Sequence, residues 1–261
     1  IEIVFLLAGG MPLYDSIVHA FGTAGTGGFG IRNDSIASYS PYIQWVITVF
    51  MFLFGINFNL YYLILIGKFK NAIKSGELWA YAGIAFTSVA VISINIAHLF
   101  DNFGDAFRAS AFQVSSLITS TGFATADFNS WPVLSKTVLI VLMFIGACAG
   151  STGGGFKVAR VVMLVKMIKQ ELRRVIHPRS VTAVRFEGKA LDSATLSSVS
   201  SYLAIYLVFF IGTLLLISFD SLSFESNFTA TLSCINNIGP IFSQTNPLIS
   251  FDDYGLFSKI V

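Results

Sequence analysis

Three short segments combine glycines with hydroxyl or amide side chains in a shared order. They are Thr23-Ala24-Gly25-Thr26-Gly27-Gly28-Phe29, Leu117-Ile118-Thr119-Ser120-Thr121-Gly122-Phe123 and Cys234-Ile235-Asn236-Asn237-Ile238-Gly239-Pro240. Such residues suit a dehydrated monovalent cation, which needs several oxygen dipoles around it and no fixed anion that would prevent its release. Backbone carbonyls of a Gly-rich strand provide those dipoles. Gly27, Gly28, Gly122 and Gly239 let the chain approach an axis closely and take φ values closed to other residues. Thr26, Ser120 and Thr121 would add hydroxyl oxygens or brace the loops. A fourth Gly-rich run, Gly146-Ala147-Cys148-Ala149-Gly150-Ser151-Thr152-Gly153-Gly154-Gly155, sits inside an apolar stretch.

Other patterns lack what their chemistry needs. Gly25 to Gly30 matches the dinucleotide pattern G-x-G-x-x-G, but that motif works at a strand-to-helix turn of a βαβ unit, and its flanks here are apolar. Gly150 to Lys157 resembles a phosphate-binding loop, yet Phe156 separates Gly155 from Lys157 and Val158 replaces the hydroxyl residue. Ala149-Gly150-Ser151-Thr152-Gly153 is one residue away from the G-x-S-x-G nucleophile elbow, which makes an intramembrane serine hydrolase a competing class. That nucleophile needs a base, and His19, His98 and His177 fall in a short apolar helix, at a span end and in a basic connection. These histidines read as surface or interfacial residues without metal spacing. Cys148 and Cys234 match no zinc, haem or redox pattern and read as buried packing residues.

The elements that must position the clusters follow from composition. Of 261 residues, 54% are hydrophobic and 11% charged, with 26 Phe and a mean hydropathy of +0.74. Soluble domains carry about 25% charged residues, so much of this surface must face lipid, and a soluble enzyme is excluded. The net charge of +2 leaves no footprint for nucleic acid. Crossing the hydrocarbon core takes about 20 apolar residues. Four stretches qualify: Pro41 to Gly67, Leu78 to Phe100, Val133 to Met163 and Ser193 to Phe219. Pro12 to Phe21, Asp105 to Ser120 and Ser226 to Cys234 are shorter, and each runs into one of the three clusters. Irregular backbone at membrane depth survives only inside protein or along a watery cavity, so these units read as re-entrant pore helices followed by loops. Their partially negative C-terminal ends would favour a cation, and Asp15, Asp105 and Glu225 suit the opposite ends.

Orientation follows from the basic residues. Lys68, Lys70 and Lys74 fill one connection, and Lys166, Lys169, Arg173, Arg174, Arg179, Arg185 and Lys189 fill another. By the positive-inside rule both are cytoplasmic, which puts all three pore loops on the outer side of a plasma membrane. The inner half, with Lys157 and Arg160, carries a net +8. The outer half carries −6, with Asp101, Asp127, Asp252 and Asp253 among its acids. An outer excess of carboxylates concentrates cations at the mouth of a pore over a screening length of about 8 Å.

Gly28, Gly122 and Gly239 are 94 and 117 residues apart, and the excess is close to the length of the basic segment after Lys166. The period is one span, one pore loop, one span. The expected fold is therefore all-α, a polytopic membrane protein of membrane-pore-membrane repeats with re-entrant pore helices, like a potassium channel with its ring of four. Residues 1–67 would hold the pore loop and second span of one repeat and 77–168 a whole repeat. Residues 193–261 would hold the first span and pore loop of another, so both ends look cut. Val133 to Lys169 would be about 55 Å long as one helix, too long for one crossing, so it should break at Gly146 to Gly155. We expect Gly146, Gly150, Ser151, Thr152, Gly153, Gly154 and Gly155 to cross the ion path inward of the filter as a movable gate, with Lys157 and Arg160 near its inner end.

These residues resemble a known family. His19-Ala20-Phe21-Gly22-Thr23 through Gly27-Gly28-Phe29, Thr121-Gly122-Phe123 with Asp127-Phe128 and Trp131-Pro132, Gly150 to Lys157, and Asn236 to Pro240 are similar to the Trk/Ktr superfamily of potassium-uptake proteins, specifically its TrkH-type membrane subunit. The resemblance runs essentially end to end, with Phe156 standing where the family usually has Ile. It implies four repeats in one subunit, of which the second to the fourth are represented here. It implies filter glycines at Gly28, Gly122 and Gly239, with Thr26-Gly27, Ser120-Thr121 and Asn237-Ile238 lining the ion path and Gly146 to Gly155 as the gating loop. Implied too are K+ as the transported ion with no cofactor, a homodimer in membrane lipid, and a cytoplasmic nucleotide-binding regulatory subunit. The alternative within the superfamily is a sodium-permeable or cation-coupled transporter, because the first-repeat filter, where sodium-permeable relatives carry Ser, is not represented.

Overall fold

The computed structural model describes residues 1–32, 34–177, 183–220, 222–239 and 254–260. Arg179, Pro240, Asp252 and Asp253, named above, lie outside the described residues. In chain order the helices are α1 (Glu2–Ala8), α2 (Leu13–Ala24), α3 (Pro41–Phe54), α4 (Phe58–Leu65), α5 (Phe69–Ile73), α6 (Gly76–Ile96), α7 (Phe103–Ile118), α8 (Val133–Ile145), α9 (Val158–Ile176), α10 (Ser193–Ile217), α11 (Phe224–Asn236) and α12 (Leu256–Ile260). The all-α expectation holds, with one short hairpin beside the helices. Between α9 and α10, β1 (Arg185–Phe186) and β2 (Lys189–Ala190) pair antiparallel, with Phe186 opposite Lys189. Glu187 and Gly188 both take positive φ, the two-residue turn whose twist suits a hairpin.

Among the described residues, two helices are long and apolar enough to cross a membrane, α6 with its 3-10 extension to Leu99 and the 25-residue α10. Ser75 and Asp192 cap them, accepting from the N–H groups of Leu78 and Thr195. Helix α10 leaves Ile205, Val208, Phe209, Ile211 and Leu215 exposed, as expected of a helix whose solvent is lipid. The stretch Val133 to Met163 breaks where expected, into α8 and α9 with the Gly-rich run between them.

The stretch Pro41 to Gly67 differs from the single straight span expected. It breaks at Gly55-Ile56-Asn57, and α3 and α4 meet at 89°. The carbonyls released by the break find donors elsewhere in the fold. The Tyr81 hydroxyl donates to the Phe52 carbonyl at 3.0 Å, the Tyr61 hydroxyl to that of Leu53 at 2.7 Å, and the Cys148 N–H to that of Gly55 at 3.0 Å. Gly55 is required by close approach. A Cβ there would lie 2.3 Å from the Tyr81 hydroxyl and 2.7 Å from the Thr119 methyl.

Helix α7 is the centre of the fold. Each residue from Ala109 to Ile118 is buried, because α3, α6 and α8 all pack on it. A helix surrounded in this way places whatever follows its C-terminus in the interior.

Tyr81 ties the bend of α3–α4 to α6, and its replacement leaves the partly buried Phe52 carbonyl without that donor. We expect Tyr81→Phe to destabilise the protein by about 1–3 kcal/mol, seen as a lowered melting temperature in detergent. An unchanged melting temperature would mean that the bend does not depend on this bond.

Candidate functional site

The three clusters follow the short helices α2, α7 and α11, which start and end within a few residues of the expected boundaries. Each helix closes with the same backbone geometry. Thr26, Ser120 and Asn237 take left-handed φ values of 50°, 56° and 54°. The N–H of each bonds to the carbonyl three residues back, at Thr23, Leu117 and Cys234. The next N–H, of Gly27, Thr121 and Ile238, reaches five residues back to Gly22, Ser116 and Ser233, at 2.8, 2.9 and 2.9 Å. This pair of bonds is a Schellman closure, which normally uses Gly at the left-handed position. Two residues after each left-handed residue, Gly28, Gly122 and Gly239 again take positive φ, at 68°, 87° and 100°.

The first two loops touch directly. A Cβ on Gly28 would lie 1.9 Å from the Thr121 carbonyl oxygen and 3.2 Å from the Gly122 carbonyl carbon. Gly239 has no such neighbour among the described residues. The third loop meets the other two through the run that starts at Gly146.

That run, residues 146–157, is a compact loop with closed ends. The N–H groups of Phe156, Lys157 and Val158 donate to the carbonyls of Phe144, Ile145 and Ala147 at 3.2, 2.9 and 3.0 Å. Gly146 and Gly155 pack backbone to backbone, and a Cβ on Gly146 would lie 2.6 Å from the Gly154 carbonyl oxygen. The tip of the loop reaches the C-terminal ends of all three short helices. The Thr26 hydroxyl donates to the Thr152 carbonyl at 3.2 Å, and the Gly154 N–H donates to the Ser120 hydroxyl. Gly153 faces the Thr119 carbonyl and Gly154 the Asn236 carbonyl, where added Cβ atoms would lie 2.7 and 2.1 Å from the oxygens.

The hydroxyls of the clusters act as braces. Thr26 and Ser120 donate to the carbonyls of Gly25 and Thr119 at 2.8 and 2.7 Å, and the Thr119 and Thr121 hydroxyls bond each other at 2.8 Å. Ser116 and Ser233 did not stand out in the sequence. The Ser116 hydroxyl donates to the Phe123 carbonyl at 2.6 Å, and the Ser233 hydroxyl accepts from the Gly239 N–H at 2.8 Å. The available signal was their position: Gly22, Ser116 and Ser233, all small, sit four residues before the left-handed residue.

The partially negative C-terminal ends of three helices thus meet around one loop. Their N-terminal turns carry Asp15, Asp105 and Glu225. Asp105 pairs with Arg108 at 2.8 Å and Glu225 with Lys136 at 3.3 Å, while Asp15 accepts from the Tyr39 hydroxyl at 2.7 Å. Burial first, and then the bond to Asp15 and its charge, push the Tyr39 hydroxyl up to about 12, so it stays a donor at ordinary pH. Lys157 folds back so that its ammonium donates to the Gly153 carbonyl. Arg160 donates to the Phe156 carbonyl at 3.0 Å and lies 4.1 Å from the Tyr202 ring centre.

Several expectations about single residues are corrected. His19 is fully buried rather than interfacial, with Nδ1 2.7 Å from the Asp15 carbonyl and its ring against Tyr39 and Phe123. Cys148 is buried as expected, but Cys234 is exposed, and it borders a 230 Å³ cavity with Thr213, Ile217 and Tyr254. Ser151 donates to the Cys148 carbonyl at 2.6 Å, and His98 and His177 are exposed.

A family model for TrkH, described as a cation transport protein, matches residues 5–79 and 77–261. The chain is 32% identical over 235 residues to the Trk system potassium uptake protein TrkH of Salmonella typhimurium, covering 88% of this chain and 49% of that protein. It is 34% identical over 240 residues to the Trk system potassium uptake protein TrkG of Escherichia coli K12, covering 90% and 49%. The crystal structure of the potassium transporter TrkH from Vibrio parahaemolyticus superposes with a TM-score of 0.90 at 30% identity, over 96% of this chain and 55% of that one. The chain therefore spans about half the length of the curated relatives it matches.

The contact between the first two loops leaves no room for a methyl group at Gly28, whereas a Cβ on Gly27 has its nearest neighbour at 3.8 Å. Gly28→Ala should destabilise the protein by about 2–4 kcal/mol, from overpacking together with a left-handed Ala, and Gly27→Ala by under about 1 kcal/mol. Equal melting temperatures for the two variants would contradict the contact.

Proposed function

The chain belongs to the TrkH family of cation transport proteins, and we propose that it is part of a membrane subunit that takes up potassium ions through a carbonyl-lined filter. It is a membrane protein of a transport family and not an enzyme. The observation that carries the reading is the threefold recurrence of one helix-end geometry, Thr26 to Gly28, Ser120 to Gly122 and Asn237 to Gly239, around a single Gly-rich loop.

In this reading α2, α7 and α11 are re-entrant pore helices on the outer side of the plasma membrane. Residues 1–67, 77–168 and 193–261 belong to the second, third and fourth membrane-pore-membrane repeats. Thr26, Gly27, Gly28, Ser120, Thr121, Gly122, Asn237, Ile238 and Gly239 contribute the ion path. A potassium ion that sheds its water is compensated by carbonyl oxygens there, and the helix ends add partial negative charge without a fixed anion to trap it. The Schellman bonds engage the N–H groups next to these carbonyls, which keeps donors turned away from the cation.

Gly146, Gly150, Ser151, Thr152, Gly153, Gly154 and Gly155 form the gate. Support comes from the contacts of this loop with all three helix ends; in this reading it lies across the route inward from the filter. The ammonium of Lys157, folded under the loop, adds an electrostatic barrier to a cation while the loop is in place. The basic connections face the cytoplasm, and the active form is a homodimer in lipid that works with a nucleotide-binding regulatory subunit. Potassium is cargo, and the chemistry calls for no cofactor.

Uptake of K+ and Na+ by cells carrying the complete subunit tests the reading. We expect K+ to be preferred, Gly122→Ser to cut that preference by roughly tenfold, and deletion of Gly153 to Gly155 to raise flux. Equal uptake of the two ions by the unmodified subunit would overturn the filter, and unchanged flux after the deletion would overturn the gate.

A further inference from the structure

One buried acid takes no part in the filter. Glu77, in the first turn of α6, is 4% exposed. Its carboxylate accepts the Ala149 N–H at 2.6 Å, and the Asn57 side chain and the Ala159 N–H face it as well. Three helix N-termini therefore converge on this group. Asn57 caps α4, Glu77 sits at the start of α6 itself, and Ala159 lies in the first turn of α9. The partial positive charge of those ends is what compensates a carboxylate held away from water.

The same place is where the Gly-rich loop is fastened. The Cys148 N–H donates to the Gly55 carbonyl at 3.0 Å, and the Gly150 carbonyl accepts from the Phe58 N–H at 3.1 Å. Both of those bonds go to the bend between α3 and α4. The third, from Ala149, goes to Glu77 and is the short one with charge on its acceptor. A charged hydrogen bond is about twice as strong as a neutral one, so it dominates the hold on this limb. Five residues further on, Gly154 bonds to Ser120 at a helix end. Displacing Ala149 therefore moves the segment that touches the helix ends.

We propose that Glu77 is a positioning residue for the gate, a carboxylate clamp that holds the Gly146 to Gly155 loop in its blocking position by fixing Ala149. This rests on the gate reading given above. Glu77 touches no ion, so its removal should change how often the path is open and leave discrimination between ions intact.

The test uses the complete subunit with cysteines other than Cys148 changed to serine, because Cys148 is buried beside the clamp and reports on the loop. Glu77→Ala should raise K+ uptake per molecule in the membrane by roughly tenfold, the scale of one lost charged hydrogen bond. It should speed modification of Cys148 by a small maleimide by a similar factor and leave the K+ to Na+ ratio unchanged. Glu77→Gln keeps the volume and one acceptor oxygen without the charge. It should give a smaller rise in both measurements, and it carries the test where the alanine variant fails to reach the membrane. Wild-type uptake and wild-type labelling in the variant that reaches the membrane would overturn the clamp, as would a changed ion ratio. If deleting Gly153 to Gly155 raises flux and the Glu77 variants do not, Glu77 has no such role and the gate stands. If the deletion itself changes nothing, the gate fails, and Cys148 labelling still reports whether Glu77 holds the loop.

Discussion

Lipid offers no hydrogen-bond partners, so every stretch of non-helical backbone at membrane depth must be satisfied from within the protein. Among the described residues, five irregular stretches, the three helix-end loops, the bend after α3 and the loop between α8 and α9, satisfy one another. The bend takes a donor from Cys148 of the long loop and returns one from Phe58. The long loop takes its contacts from the ends of α2, α7 and α11. The irregular parts form one connected interior, and the apolar faces of α6 and α10 are left for lipid.

Close approach is the second half of the same constraint. Backbone can satisfy backbone only where side chains stay out of the way, which is why the glycines fall at contacts. Gly28 meets Thr121, Gly146 meets Gly154 and Gly155, and Gly154 meets Asn236. Where the left-handed residue is Thr26, Ser120 or Asn237 rather than Gly, the chain accepts a local cost of about 1–2 kcal/mol. In return, at two of the three positions, it gains a hydroxyl that braces the loop.

Much of this was legible from the sequence, because span length and Gly clustering are local signals. Val133 to Lys169 is too long for one crossing and has five glycines in its middle, so the break was readable and falls there. The short helices were readable from apolar runs that stop at Gly- or Asn-rich segments. The bend at Gly55 was not. A single Gly in an apolar run is a weak signal, and of the groups that stabilise the bend only Tyr61 is local to it, while Tyr81 and Cys148 reach it through space from other elements. Glu77 carries no signal of its own in the sequence for the same reason, since its partner Ala149 is 72 residues away. His19 looked interfacial until Tyr39 and Phe123 closed over it.

The closed ends of the long loop bear on what its displacement would do to the rest of the wall. Phe156, Lys157 and Val158 are stitched to Phe144, Ile145 and Ala147 by main-chain bonds that do not involve residues 148–155. Those eight residues form a flap on a sewn hem. A displacement of the kind the proposed gate requires would leave those bonds between α8 and α9 in place, so any permeability it controlled would be confined to the protein's interior.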